Sequence, residues 1–249
     1  MFTVNKEYNK EVALNKIDNA TLWNKFGYND DIDIGTEVVW SYGGLFTRLT
    51  TASTLSFVST SSEDNGGTGA SRIVVYGIGS DRLARVEVVT LNGTTPVITT
   101  STWLGINRLS VYLCGTSDSN VGTITATATS NGSIQGQIPA TEGTTQQAIF
   151  FTQAGYTFLL DLLSININKI SGGSSPVCTV KGFVYSFISN SKYEIYRNVI
   201  DTSVVNNVVL TPLAPFVVGE SSVMWFEVTT NTNNTVANVR FSGIETKNI

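Results

Sequence analysis

The stretch that decides the fold is residues 72–100, RIVVYGIGSDRLARVEVVTLNGTTPVITT. Arg72 to Ile78 and Leu83 to Leu91 are short runs rich in β-branched residues, parted by the polar turn Gly79-Ser80-Asp81. Runs of that length bounded by turn residues read as strands. The next turn, Asn92-Gly93, accepts positive φ at both central positions, which makes it the strongest short-range hairpin signal. Pro96 to Thr100 supplies a third run.

The same grammar extends in both directions. Thr54 to Thr60 precedes the segment, Arg108 to Leu113 and Val121 to Thr129 follow it, and a second Asn-Gly stands at Asn131-Gly132. Residues Ser133 to Gln147 are polar and contain Pro139, so a domain boundary is expected near residue 140. Strand patterns resume at Ala148 to Thr152, Tyr156 to Ile167, Val177 to Ile188, Lys192 to Val199, Ser203 to Leu210, Ser222 to Thr229 and Val236 to Ile244. In Val177 to Phe187 one face carries Val177, Thr179, Lys181, Phe183, Tyr185 and Phe187, the other Cys178, Val180, Gly182, Val184 and Ser186. Both faces are apolar enough to place this strand in the middle of a covered sheet.

Residues 1–35 read differently. They are rich in charge, and Val12, Leu14, Ile17 and Leu22 have helix-compatible spacing, so the segment is expected to be an N-terminal arm with one short helix. It ends in the polar run Asn29-Asp30-Asp31-Ile32-Asp33. The expected fold is therefore all-β: an arm over 1–35, a β-sandwich or barrel over 36–140, and a second, jelly-roll-like β-sandwich over 141–249.

Composition removes several classes of function. Charged residues make up 14% of the 249 residues and the net charge is −4, with no basic cluster. Nucleic-acid binding by counterion release needs clustered Lys and Arg, so no nucleic-acid partner is expected. No apolar run approaches the roughly 20 residues that span a bilayer, and no polybasic segment suits a membrane surface, so no membrane partner is expected. The opening MFTVNKEYNKEVALNK lacks the apolar core of a secretory leader, and export by that route is not expected. Cys114 and Cys178 sit in apolar strand patterns outside any CxxC motif, which favours buried thiols. Sequence leaves open whether they are bridged.

The chain contains no histidine, so a Ser-His-Asp or Cys-His arrangement is ruled out. Calcium on oxygen ligands is the one metal chemistry to weigh, at Asn29 to Asp33 or at Glu63, Asp64 and Asn65; both segments lack the EF-hand pattern and read as solvated acidic turns. The glycine-rich loop Ser61 to Ser71 has no closing Gly-Lys-Ser/Thr and reads as a turn, not a phosphate cradle. Asp161, between Leu160 and Leu162, and Glu227 are candidate carboxylates for glycoside hydrolysis, though acids on strands are mostly surface residues. Trp23, Trp40, Trp103, Trp225, Tyr42, Tyr193 and Tyr196 are candidates for a glycan platform, though aromatics in β-sandwiches are mainly core. No catalytic, cofactor-binding or metal-ligating residue is assigned, and no enzymatic activity is expected.

Val39-Trp40, the loop Gly67 to Ala70, the hairpin Glu87 to Val97 and the strand Arg108 to Val111 together resemble all-β virion proteins of tailed bacteriophages, marine ones in particular. The similarity covers most of residues 26–165 and rests on turn and packing motifs. It implies a structural part of the particle: a head decoration or cement protein, a fibre component or a tail accessory. It further implies assembly in the host cytoplasm, association with copies of itself, often as trimers, and docking on major capsid or tail proteins. The alternative is a receptor- or glycan-binding module at the virion surface.

Overall fold

The structure, a computed structural model, describes residues 4–171 and 174–248. Among the described residues, one helix, α1 (Val4–Ala13), precedes seventeen strands. The first nine are β1 (Ala20–Ile32), β2 (Gly35–Val38), β3 (Leu55–Ser59), β4 (Ala70–Gly79), β5 (Ala84–Thr90), β6 (Val97–Ile98), β7 (Trp103–Cys114), β8 (Ile124–Ala128) and β9 (Ile134–Ile138). They are followed by β10 (Ile149–Thr152), β11 (Tyr156–Lys169), β12 (Val177–Ser186), β13 (Ser191–Asp201), β14 (Asn207–Leu210), β15 (Phe216–Val218), β16 (Ser222–Thr230) and β17 (Thr235–Lys247). The protein is all-β, and its strands pair antiparallel in four sheets.

The chain divides into two compact units, and the division differs from the expected one. The first unit runs up to Val39 and resumes at Ala148, while the second is the continuous stretch Trp40–Gln147. The expected boundary near residue 140 thus lies a few residues early. More importantly, residues 1–35 are not a separate arm. β1 pairs along β17, from Ala20↔Thr246 to Ile32↔Thr235, and β2 pairs with β16. The chain begins the first unit, leaves it to build the second, and returns to complete the first.

In the first unit one sheet runs β1-β17-β11-β14 with β15 also on β11, and the other runs β10-β16-β12-β13 with β2 on β16. Both feed one core. Phe158, Leu160, Leu163, Ile165, Val239 and Phe241 come from the first sheet; Phe150, Val180, Val184, Met224, Phe226 and Val228 come from the second. Ring contacts tie them together, with centroids 4.5 Å apart for Phe150–Phe158 and 5.7 Å for Phe226–Phe241. The Cys178 face of β12 turns inward as its alternation implies, and β12 is an interior strand. Gly182 leaves room for Phe226: a Cβ there would stand 2.9 Å from that ring.

Helix α1 stops earlier than the Val12-to-Leu22 spacing predicts. Asn15 takes φ 54°, its N–H donates to the Val12 carbonyl, and the Lys16 N–H donates to the Glu11 carbonyl. Those two bonds make a Schellman end with Asn in the left-handed position. β1 then carries an inverted pattern. Lys25, Gly27 and Asn29 are buried, whereas Phe26 is exposed and stacks on Tyr28 at 6.4 Å. Gly27 is dictated by close approach, since a Cβ would meet the Ala148 nitrogen at 2.4 Å and the Val39 carbonyl oxygen at 2.5 Å.

In the second unit the sheets are β6-β3-β8-β9 and β5-β4-β7. The hairpin read from residues 72–91 is β4–β5, in register from Arg72↔Thr90 to Ile78↔Ala84. Leu55, Phe57, Ile73, Val75, Trp103, Leu109, Ile124 and Ile138 are all fully buried.

Candidate functional site

A groove of about 540 Å³ opens on the first unit, and Asp161 lies in it. Its position follows from a break in β11. The strand buries Phe158 and Leu160, then Leu163, Ile165 and Ile167, and its register against β17 shifts between Leu160 and Leu162. Asp161 is the extra residue of that bulge, and bulges re-aim side chains. The carboxylate is held from both sides: Asn9 Nδ2 of α1 donates to Oδ2 at 2.7 Å, and Ser242 Oγ of β17 donates to Oδ1 at 3.1 Å. Tyr8, Leu159, Leu162, Ile244 and the loop Thr211, Pro212, Leu213 and Pro215 complete the lining. Leu213 stands fully in solvent.

Glu227 does not join Asp161. It lies on β16 beside Trp225, on the opposite side of that strand from Met224, Phe226 and Val228, which enter the core. Asp161 likewise departs from the core-facing positions of β11, so the hydrophobic core lies between the two acids and they cannot act on one substrate as a facing pair. Glu227 is instead held by Trp225 Nε1 at 2.7 Å and Lys192 Nζ at 3.9 Å, and that ammonium lies 3.7 Å from the Phe183 ring centroid. A half-buried pair of this kind fastens β13 to β16 across β12.

One residue in each acidic segment considered for calcium is engaged within the fold. Asp64 is fully buried and accepts four hydrogen bonds: from Ala70 N (2.8 Å) and Val121 N (2.9 Å) on Oδ1, and from Ser59 Oγ (2.6 Å) and Gly122 N (2.9 Å) on Oδ2. A carboxylate has about four lone-pair sites, and here each faces a donor, which leaves none for a cation. Asn29 is buried against Glu37 and the Val38 carbonyl, at 3.0 and 3.2 Å.

Two of the motifs that carry the phage-protein resemblance, the loop Gly67 to Ala70 and the Asn92-Gly93 turn, meet at Asp64. Gly69 has no space for a side chain, since a Cβ would sit 2.1 Å from Asp64 Oδ1. The Gly93 N–H of the Asn-Gly turn donates to the Asp64 carbonyl at 2.8 Å. Glu87 clamps the next turn, accepting from Thr100 N (2.8 Å), Thr100 Oγ1 (3.0 Å) and Ser101 N (3.0 Å). Partial burial pushes the Glu87 carboxyl upward, but the bonds from Thr100 and Ser101 outweigh it and hold the group below the ordinary glutamate value.

The aromatic candidates are mostly interior. Trp40, Trp103 and Trp225 are buried. Trp23 is half-buried, edge-on to Phe150 at 5.2 Å, and donates to Glu245 at 3.2 Å. Tyr42 and Tyr193 are exposed but belong to different units. Cys114 and Cys178 are both free thiols, and burial raises the Cys178 pKa.

Glu245 carries a pH prediction. It is buried, and burial raises its pKa despite hydrogen bonds from the Gln153 backbone and Trp23. The folded protein then holds this proton more tightly than the unfolded chain does. Stability is therefore lost as pH rises from the ordinary glutamate value through the raised one. Glu245→Gln removes that dependence, so its melting temperature should gain on the wild type as pH goes from about 4 to about 8. Melting curves of the two proteins across that range check the sign.

Sequence reasoning singled out Asp161 but missed its companions Tyr8, Asn9 and Ser242 and the loop over 211–215. One signal was available: Thr211-Pro-Leu-Ala-Pro-Phe216 brackets an apolar residue with two prolines, a stiff loop with Leu213 at its tip.

No protein-family model matches the chain, and no curated protein matches it. Among solved structures, the Gt strain of infectious bursal disease virus shares 11% identity over 92% of this chain and 73% of that one, with a TM-score of 0.19. The VP2 subviral particle of the same virus shares 11% identity over 93% and 73%, with a TM-score of 0.23. T=1 particles derived from that virus share 10% identity over 92% and 70%, with a TM-score of 0.21. Superpositions this weak carry no argument about this chain.

Proposed function

We propose that this protein is a structural component of a virus particle that associates with copies of itself. The observation that carries the reading is the outer face of the sheet β5-β4-β7. Ile73, Val75, Val89 and Leu109 fill its inner side. On the other side Val86 and Val88 are 59% and 47% exposed, next to Tyr76 and Val74 in the register. β5 is also the end strand of its sheet. A solvated edge strand with apolar residues offers unpaired backbone groups and apolar area to another chain. The phage-protein resemblance supports the same reading, because its motifs fix loops and hairpins and hold no reactive groups.

In finer terms, the reading is two β-sandwich units acting as a head decoration or cement protein, or as a fibre or tail component. It would form homo-oligomers such as trimers and dock on capsid or tail proteins. Many weak repeated contacts on a symmetric shell add up to firm attachment. The double variant Val86→Lys/Val88→Lys, on exposed positions, should fold normally and shift sedimentation velocity toward the monomer. Unchanged association would remove this face from the account.

A further inference from the structure

We propose that the groove around Asp161 binds the cationic end of a basic side chain, arginine or lysine, carried on a segment of a partner protein. The inference does not depend on self-association through β5. Three features point to a cation on an apolar stem. First, the bulge in β11 sets a carboxylate in the groove, and each of its oxygens takes one hydrogen bond from the protein, Oδ2 from Asn9 and Oδ1 from Ser242. About two of the four lone-pair sites of a carboxylate are then left over for an incoming donor. Second, among the described residues no lysine or arginine lines the groove, and none of the described lining residues places a countercharge on this carboxylate. Third, much of the wall is aliphatic, formed by Leu159, Leu162, Leu213 and Ile244.

That combination matches a basic side chain, whose methylenes lie along apolar surface while its charged head seeks an acceptor. A charge-assisted bond to Asp161 would supply strength. Tyr8, part-exposed at the groove, would add a ring for the cation. Calcium or magnesium fits poorly, because each takes six or more oxygen ligands and the described lining offers one carboxylate. A neutral sugar fits less well too, since the polar side chains beside Asp161 are few and two of them already serve its carboxylate. Leu213, fully exposed on a loop between prolines, is placed to close over the stem of the bound side chain.

The test is ligand-observed saturation-transfer NMR on the full chain with N-acetyl-arginine amide as probe and N-acetyl-citrulline amide as its uncharged isostere. The arginine probe should bind with a dissociation constant on the order of 1–10 mM, a range fit for a single residue. Binding should weaken with added salt and fall about tenfold in Asp161→Asn, the loss of one charge-assisted bond. Leu213→Lys, at a fully exposed position where folding is not at stake, should weaken it as well by placing a competing cation at the rim. Equal binding of the citrulline probe, undiminished binding in Asp161→Asn, or no transfer at concentrations well above that range would overturn the proposal. So would a neutral sugar that occupies the groove while arginine does not.

Discussion

Deleting residues 1–35 is expected to yield a chain whose first unit does not fold, not a trimmed but intact protein. β1 contributes a full edge to the sheet by pairing along the whole of β17. Its removal strips the edge-on packing of half-buried Trp23 on Phe150, and Ile32, from the core. It also leaves β17, thirteen residues long, as an open edge, the kind of feature that drives aggregation. With a net stability on the order of 5–15 kcal/mol for a typical domain, losses of that size exceed what the unit can absorb. Circular dichroism and solubility of the deletion variant read the result. A shorter deletion of residues 1–16 removes α1 and, among the described residues, sacrifices the Asn9 bond to Asp161 and the burial of Val12, the latter worth about 1.5–3 kcal/mol. That variant should stay folded with a lowered melting temperature. A soluble, cooperatively melting product from the 1–35 deletion would mean that β1 is dispensable after all.

Asp64→Ala is expected to be the most damaging point substitution in the second unit. It leaves Ser59, Ala70 and Gly122 with buried donors and no acceptor, and Val121 with a part-buried one. Breaking a buried charged network of this sort costs on the order of 3–5 kcal/mol, or a fall in melting temperature of about 10 °C for a chain of this size. Asp64→Asn should recover little, because its amide group would turn N–H donors toward two of the same donors. Thermal unfolding followed by tryptophan fluorescence reads both variants, since Trp103 is buried in that unit. A loss under about 1 kcal/mol, the usual size for a surface change, would show that the loop holds without its carboxylate.

The parts of the fold that were legible carry their signal in adjacent residues. The β4–β5 hairpin announces itself through branched residues and Asn-Gly, and β12 through two apolar faces. β1 escaped because its pattern is inverted, with Lys25, Gly27 and Asn29 inward and Phe26 outward. Its inward positions are set by the close passage of the Val39 and Ala148 backbone, a long-range fact that no local window contains. The interrupted first unit was hidden for the same reason: β1 and β17 lie at opposite ends of the chain. Asp161 stood out as an acid among leucines. What local sequence does not encode is the bulge that aims it, which depends on the register of β17, and the arrival of Asn9 from α1.

The measurement that tests the central claim most directly is the mass of the purified wild-type protein by light scattering over a wide range of concentration. A structural component that associates through exposed sheet surface should give a defined multiple of the 26.8 kDa chain, reduced by Val86→Lys/Val88→Lys. A mass of one chain at every concentration, unaltered by those substitutions, would contradict the account.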